Sequence, residues 1–330
     1  MSNESTINEF ILLGFSEVRG IQLVYFVIFL LIYMTAFIGN ILILTAVVTD
    51  SSLHSPMYFF LGNLSVMDLG YISVTTLKAM ANSFLNTRLI SYSECITQVF
   101  FLFFFMASDF FLLTVMAYDR HVAICDPLHY EMIVNKEACI QMAAITWISG
   151  LLYAAIHTGA TFALPFCSNT INQFFCEIPQ LLKLSCSDMY LIEVVALCFS
   201  ACLGLSCFGY ILMSYVEIFK TVFRIPSAQG REKAFSTCIP HLIVVSLFLF
   251  TGISANLKPM SSSLAGLDSA VSMAYCILPP VMNPIIYSMR NKEIKAVLWK
   301  FCSRSWKKHN KGKHGCIILW KLTQPGNRKS

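Results

Sequence analysis

An acidic and a basic residue, Asp119 and Arg120, stand side by side directly after the apolar run FFLLTVMAY. A partly buried ion pair is close to energetic balance, because the cost of removing two charges from water nearly cancels their attraction. A small change in the surroundings can therefore open such a pair. It could equally be an interfacial charge pair with no further role, in which the long side chain reaches towards water. The position of the pair in the fold decides between these two interpretations.

Two further acids, Asp68 and Asp109, lie in the middle of other apolar stretches, and no basic residue lies at a comparable depth. An ionised side chain at the centre of a membrane costs about 2.5–3.5 kcal/mol, so each acid needs a compensating interaction. The acids are either protonated and hydrogen-bonded to neighbouring helices, or they share a cation such as sodium, with Asn40 and Asn283 as further oxygen donors. We favour sodium at Asp68 and Asp109, and we expect that no other cofactor is required.

The composition identifies the elements that must position these charges. The chain of 330 residues is 56% hydrophobic and only 12% charged, whereas about a quarter of the residues of a soluble domain are charged. Crossing a bilayer takes about 20 mostly apolar residues. Seven such stretches begin at Gln22, Pro56, Cys95, Ala138, Ile192, Phe235 and Ser269. The sequence therefore predicts an all-α membrane protein, a bundle of seven transmembrane helices in the plasma membrane.

The distribution of Lys and Arg predicts the orientation. Most of the 23 basic residues fall in segments that are cytoplasmic if the amino terminus is outside, which predicts an external amino terminus and an internal carboxyl terminus. We expect an extracellular segment at 1–21, the seven-helix domain with a short cytoplasmic helix at 22–302, and a basic tail at 303–330. The net charge of +5 then indicates lipid and cytosolic partners, and not nucleic acid.

The amino terminus shows no removable signal peptide, and Asn3, in the sequon NES, is a predicted glycosylation site on the outer side. No nucleophile with a base and no cluster of metal ligands is visible in the sequence, so we do not expect an enzyme.

Four of the thirteen cysteines, Cys95, Cys167, Cys176 and Cys186, fall in segments predicted to be extracellular, where disulfides persist. Four cysteines allow three pairings, and the sequence alone does not choose among them. The segment at about 159–190 is too long for a bare connection. It is predicted to form a lid that disulfides tie down.

Several ordered strings point to a known family: GN at Gly39, LHSPMYFFLGNLSVMDL from Leu53, MAYDRHVAICDPLHY from Met116, SY at Ser214, KAFSTCIPHLIVVSLF from Lys233 and NPIIYSMRNKEI from Asn283. Over residues 8–301 the chain resembles the olfactory receptors of the rhodopsin-like G-protein-coupled class. The resemblance implies a receptor that binds small hydrophobic odorants and activates a heterotrimeric, stimulatory G protein to raise cyclic AMP. A receptor of the same fold for a non-odorant lipid or metabolite is the first alternative, and a transporter the second.

The resemblance also assigns roles to residues. It implies that Asp119 restrains the resting state and that Arg120 contacts the G protein, with Tyr215 and Tyr287 as partners of the freed arginine. It further implies disulfides between Cys95 and Cys176 and between Cys167 and Cys186.

The resemblance places the ligand among the third, fifth, sixth and seventh helices. The residues expected to contact it are Leu102, Phe103, Met106, Ala107, Phe199, Leu203, Ile253, Asn256 and Tyr275. Such a wall is apolar and aromatic, which suits a small neutral molecule. It contains no carboxylate that could hold an amine, and His157 is expected to be structural.

Overall fold

The computed structural model describes residues 8–13, 16–186, 190–256, 265–291 and 293–300. Within these ranges the helices, in chain order, are α1 (Arg19–Thr49), α2 (Pro56–Leu85), α3 (Tyr92–Cys125), α4 (Tyr130–Ile133), α5 (Lys136–Phe162), α6 (Ile178–Leu182), α7 (Tyr190–Arg224), α8 (Ala228–Asn256) and α9 (Ala265–Arg290). The predicted glycosylation site at Asn3 and the basic tail at 303–330 lie outside the described residues.

Six of these helices, α1, α2, α3, α5, α7 and α8, are long and apolar enough to cross a membrane. The seventh predicted span coincides with α9, in which three prolines, Pro279, Pro280 and Pro284, interrupt the backbone hydrogen bonds. The predicted helical bundle is therefore confirmed, with α4 and α6 as short helices in the connections between the long ones.

Local capping interactions extend the long helices beyond their apolar cores. The backbone N–H of Glu94 donates to Ser91 Oγ at 3.2 Å, and the N–H of Ser91 donates to Glu94 Oε2 at 3.0 Å. This reciprocal pair satisfies two donors at the start of α3, so the helix begins earlier than the predicted span. At the end of α2, Asn86 takes the left-handed conformation, with φ of 57°, which asparagine tolerates better than most residues.

A small sheet at the outer end of the bundle was not predicted. Its strands are β1 (Glu9–Leu12), β2 (Leu89–Ser91) and β3 (Thr170–Ile171), in the order β2-β1-β3. The central strand β1 pairs antiparallel with β2 and parallel with β3. Phe10 and Leu12 on this strand are fully buried. The fold class remains that of a helical bundle, and the sheet is an addition to it that the sequence did not predict, because strands of two to four residues are too short to give a periodic pattern.

Two disulfides tie the connection between α5 and α7. Cys95 is bonded to Cys176 with the Cα atoms 5.7 Å apart, and Cys167 to Cys186 with the Cα atoms 5.2 Å apart. These are the pairs that the resemblance implies. The backbone N–H of Cys176 also donates to Gln98 Oε1 at 2.8 Å. The connection is thereby held against the outer part of α3.

The described chain ends in a short helix at 293–300. Asn291 Oδ1 accepts the backbone N–H groups of Glu293 and Ile294 at its start, at 2.9 and 3.1 Å. Lys300 Nζ lies 3.2 Å from Asp50 Oδ2. Hydrogen bonds from the Ser52 hydroxyl and backbone, together with Lys300, lower the pKa of Asp50 to about 2. This helix is thus attached to the connection between α1 and α2.

Hydrophobic packing falls into two clusters of buried residues. The first contains Leu64, Met116 and Ile218 and lies beside the ion pair at the end of α3. The second contains Phe10, Leu102 and the Cys95 disulfide and lies under the sheet. The candidate switch is packed against the first cluster, and the lid against the second.

Candidate switch and ligand site

The ion pair at the end of α3 is closed and largely buried. Arg120 Nε donates to Asp119 Oδ2 at 2.8 Å, and Arg120 Nη2 bonds the same oxygen. Asp119 is 1% exposed. Its second oxygen, Oδ1, accepts the hydroxyl of Tyr130 at 2.6 Å. Both carboxylate oxygens are therefore occupied, which compensates the burial of the charge.

Tyr130, on α4 in the connection between α3 and α5, was not among the predicted site residues. Burial raises the pKa of Tyr130, and the neighbouring charge of Asp119 raises it further. The phenol therefore remains protonated and donates to the acid. The motif MAYDRHVAICDPLHY ends on this residue, so the signal was present in the sequence, although its contact with Asp119 depends on how the connection folds back.

Tyr215 is linked to a buried histidine on α8. The hydroxyl of Tyr215 lies 2.7 Å from His241 Nδ1, and His241 Nε2 lies 3.0 Å from the carbonyl oxygen of Leu113. A carbonyl only accepts, so Nε2 carries the proton and Nδ1 accepts from the Tyr215 hydroxyl. This chain of bonds joins α7, α8 and α3. Sequence reasoning missed His241, although it stands beside Pro240 in a matched string.

The other predicted partner of Arg120, Tyr287 on α9, is buried, and its hydroxyl has no hydrogen-bond partner among the described residues. In the described part of the chain no hydrogen bond joins Arg120 to Tyr215 or to Tyr287. Tyr215 and Tyr287 belong to the first hydrophobic cluster, whereas Asp119 and Arg120 are bound to each other.

Asp68 and Asp109 are both buried in the bundle. Asn283 Nδ2 donates to both oxygens of Asp68, at 3.1 and 3.0 Å. Asn40 Nδ2 donates to the carbonyl oxygens of Ala36 and Pro280. The atoms Asn40 Oδ1, Asp109 Oδ1 and Asn283 Oδ1 are buried and have no hydrogen-bond partner in the described part of the chain. Uncompensated buried oxygens of this kind call for a bound water or cation.

The predicted ligand contacts are distributed over several environments. Leu102 and Ala107 are buried, Phe103, Met106, Leu203 and Tyr275 are partly buried, and Phe199 is 47% exposed. The side chains of Ile253 and Asn256 lie outside what the structure describes. The predicted residues on α3 therefore sit inside the bundle, whereas Phe199 on α7 stands at its edge.

A polar cluster lies next to one of these residues. Ser200 Oγ accepts the hydroxyl of Tyr153 at 2.9 Å and lies 2.9 Å from His157 Nε2. The ring of Phe103 stacks on the rings of Tyr153 and His157, with centroids 6.3 and 5.6 Å apart. The cluster joins α3, α5 and α7, so His157 has the hydrogen-bonded position expected of it.

The expected absence of a carboxylate near the ligand residues is corrected by the position of Glu177. This residue follows Cys176 in the connection, and its Oε2 accepts the hydroxyl of Tyr275 at 3.1 Å. The sequence placed Glu177 in a loop, and only the fold brings it to α9. A cavity of about 10 Å³ nearby, lined by Phe29, Thr75, Phe175 and Met273 among others, is large enough for roughly one water molecule.

Comparison with known proteins shows which family the chain is similar to. The model of the protein family described as olfactory receptor matches residues 29–304. The chain is 49% identical to human olfactory receptor 14C36 over 94% of its own length and 100% of that protein. It is 48% identical to human olfactory receptor 14A16, over 90% of this chain and 96% of that protein, and 48% identical to human olfactory receptor 14I1, over 91% and 97%.

Proposed function

Because the chain belongs to the olfactory receptor family, we propose that it detects a small neutral hydrophobic molecule beneath its lid and raises cyclic AMP. Membership of the family makes it a multi-pass odorant receptor that couples to a G protein, and not an enzyme. The closed arrangement of Asp119, Arg120 and Tyr130 carries this proposal. It is a restraint at the cytoplasmic end of the bundle that a ligand at the outer end can release.

The proposed ligand class follows from the residues on the inner faces of the helices. Leu102, Phe103 and Met106 on α3 offer apolar and aromatic surface. A site of this composition stabilises a ligand mainly by removing apolar surface from water. The polar cluster of Tyr153, His157 and Ser200 adds hydrogen-bonding groups at the side of Phe103. We propose these residues, with the remaining predicted contacts, as the odorant site.

The proposed signal is a change of partner for Arg120. In the resting arrangement its guanidinium is bound to Asp119, which is bound in turn to Tyr130. When an odorant favours the open cytoplasmic conformation, Arg120 leaves Asp119 for the G protein, with the hydroxyls of Tyr215 and Tyr287 as new partners. Tyr215 must first leave His241. The switch therefore requires coordinated movement of α3, α7 and α8.

Replacing Asp119→Asn is expected to raise cyclic AMP in the absence of odorant. The amide keeps an acceptor for Tyr130 but loses the charge that holds Arg120. A charge-assisted hydrogen bond contributes about 1.5–3 kcal/mol, so we expect the active fraction to rise about tenfold or more. Basal cyclic AMP, normalised to surface expression, measures this. The matched control is Asp126→Asn, which removes an exposed acid bound to His129. Basal activity at the wild-type level in Asp119→Asn would show that the acid is not a restraint.

Sodium at Asp68 and Asp109 is a further proposal. The proposal is supported by the two buried carboxylates and by buried side-chain oxygens of Asn40, Asp109 and Asn283 that lack a hydrogen-bond partner among the described residues, since hard cations take oxygen ligands in proteins. Bound there, the ion would compensate two acids that lack a basic partner. It would stabilise whichever conformation keeps α2 and α3 in this register.

We expect odorant potency in the wild type to change at least about fivefold when external sodium is replaced by choline. A fivefold change is the lower end of the coupling usually found between two binding sites, here those of sodium and odorant. Asp109→Asn should abolish this dependence, whereas the exposed acid variant Asp126→Asn should retain it. Dose–response curves of cyclic AMP at the two ionic compositions provide the measurement. Wild-type potency that is indifferent to sodium would instead identify the acids as protonated structural groups.

The proposed ligand class is tested by exposing cells that carry the receptor to a chemically diverse odorant panel with a cyclic AMP readout. We expect responses to small neutral compounds with an apolar body. Amines and permanently charged compounds should give weaker responses, because both oxygens of Glu177 are already bound by the hydroxyls of Ser272 and Tyr275. Activation confined to charged compounds would contradict the proposal.

A further inference from the structure

The lid carries a buried acid, Glu177, that is bound by two side chains of α9. It is only 2% exposed. Ser272 Oγ donates to Glu177 Oε1 at 3.0 Å, and the hydroxyl of Tyr275 donates to Glu177 Oε2 at 3.1 Å. Residues three apart lie on one face of a helix, so one face of α9 presents two hydroxyls to one carboxylate. Both oxygens of the buried carboxyl group are therefore hydrogen-bonded, as buried polar groups in proteins usually are.

A second residue of the same segment reinforces this contact. Gln173 is fully buried, and its Nε2 donates to Ser272 Oγ at 3.2 Å. The amide nitrogen only donates, so the single hydroxyl proton of Ser272 is left for Glu177. Ser272 therefore relays a hydrogen bond from Gln173 to Glu177. The lid segment is attached to α9 at both Gln173 and Glu177.

The other side of the same segment is attached to α3. Cys176, directly before Glu177, is bonded to Cys95 and donates its backbone N–H to Gln98 Oε1 at 2.8 Å. Gln98 Nε2 donates in turn to the carbonyl oxygen of Val74 on α2. Residues 173–177 thus form a crossbar between α3 and α9, the two helices that carry Leu102 and Tyr275. The attachment to α3 is covalent, whereas the attachment to α9 consists of hydrogen bonds that can break.

We propose that Glu177 helps to determine ligand specificity as a positioning residue. It holds the Tyr275 ring and the lid in fixed positions and so limits the length of the ligand that the receptor accepts. The inference rests on the proposed function, because it takes Tyr275 as a wall of the odorant site. A ligand too long for the site must displace the Tyr275 ring, and that movement breaks the hydrogen bond to a buried carboxylate. Shorter ligands leave this hydrogen bond intact, so their potency does not depend on it.

The test uses straight-chain alcohols, aldehydes and methyl esters of increasing chain length on the full receptor, with cyclic AMP as the readout. Glu177→Gln, Tyr275→Phe and the double variant are compared with wild type. Glu17→Gln is the matched control, since it removes an extracellular carboxylate that is 82% exposed and paired with Arg88 away from the crossbar. Surface expression is measured for every variant with an antibody to an external tag.

We expect Glu177→Gln to extend the active series by at least one methylene. The potency of the longest compound that activates wild type should rise about fourfold, which is the value of one buried methylene group, while short compounds keep their potency. Tyr275→Phe, which removes only the hydroxyl, should reproduce the change, and the double variant should add nothing further because the two residues act as a pair.

An equal loss of potency at every chain length would overturn the inference and leave Glu177 as a general stabiliser of the lid. An unchanged length profile in either single variant would overturn it as well. Silence of wild type and Glu17→Gln on the whole series contradicts the proposed ligand class itself. Failure of the inference and failure of the proposed function are therefore distinguishable.

Discussion

Arg120→Ala is expected to remove the cyclic AMP response to odorant in the receptors that reach the surface, while their ligand binding stays close to wild type. The guanidinium is the group that the proposed mechanism presents to the G protein, and alanine leaves nothing in its place. Removing the guanidinium leaves the buried Asp119 with the hydroxyl of Tyr130 as its remaining partner, which lowers the stability of the receptor. The loss should appear in the maximal response and not in the odorant concentration that gives half of it. Cyclic AMP normalised to surface receptor measures both.

Arg88→Ala is the matched control for this prediction, because Arg88 also forms an ion pair, with Glu17, but on the outer side. It should signal normally. Arg120→Lys should fall between alanine and wild type. Lysine keeps the charge, but it cannot place two nitrogens of a rigid fork on one oxygen. A surface-expressed Arg120→Ala receptor with a full response would refute the assignment of the switch.

Removing the disulfide between Cys95 and Cys176 should be the most damaging change on the outer side. Loss of a native disulfide costs about 2–5 kcal/mol, a large share of the stability of most proteins. The bond joins residues separated by 81 positions, whereas the bond between Cys167 and Cys186 spans 19. Stabilisation by a disulfide grows with the logarithm of the length of the loop that it closes. The bond between Cys95 and Cys176 should therefore stabilise the receptor by about 1 kcal/mol more than the bond between Cys167 and Cys186. Cys95→Ser should therefore reduce surface expression more than Cys167→Ser.

The double variant Cys95→Ser with Cys176→Ser should match either single variant, since each alone already breaks the bond. The free and exposed Cys198 provides the control, and Cys198→Ser should reach the surface normally. Surface receptor measured by flow cytometry, with and without prior reduction, reports all of these. Normal surface levels of Cys95→Ser would show that hydrogen bonds such as that of Gln98 hold the lid without the disulfide.

The elements of the bundle could be predicted from sequence, because about 20 apolar residues in a row leave the backbone no partner in lipid except itself. The ends of the helices were predicted less accurately than the helices themselves. The early start of α3 depends on Ser91 and Glu94, polar residues that a search for apolar stretches discards. The strand β1 was missed because its partners are remote in sequence and all three strands are short.

Some residues of the candidate site could likewise be predicted from the sequence, whereas the contacts between them could not. Asp119 and Arg120 were predicted because they are adjacent and break an apolar run. The contacts of Asp119 with Tyr130 and of Tyr215 with His241 depend on how separate helices meet. Glu177 is the clearest example. In the sequence it is an acid in a loop, and its burial against Ser272 and Tyr275 follows from a disulfide one residue away.

The order of strands in the outer sheet has a consequence for biosynthesis. The central strand β1 is made before the membrane-spanning helices, yet its parallel partner β3 is made only after α5. The sheet therefore cannot be completed until four spans have been synthesised, and until then Phe10 lacks Phe166 and Leu12 lacks Ile171 as packing partners. Exposed apolar strands of this kind attract chaperones and aggregate. The amino-terminal strand would thus keep a nascent receptor recognisable as unfinished while its first half is being inserted.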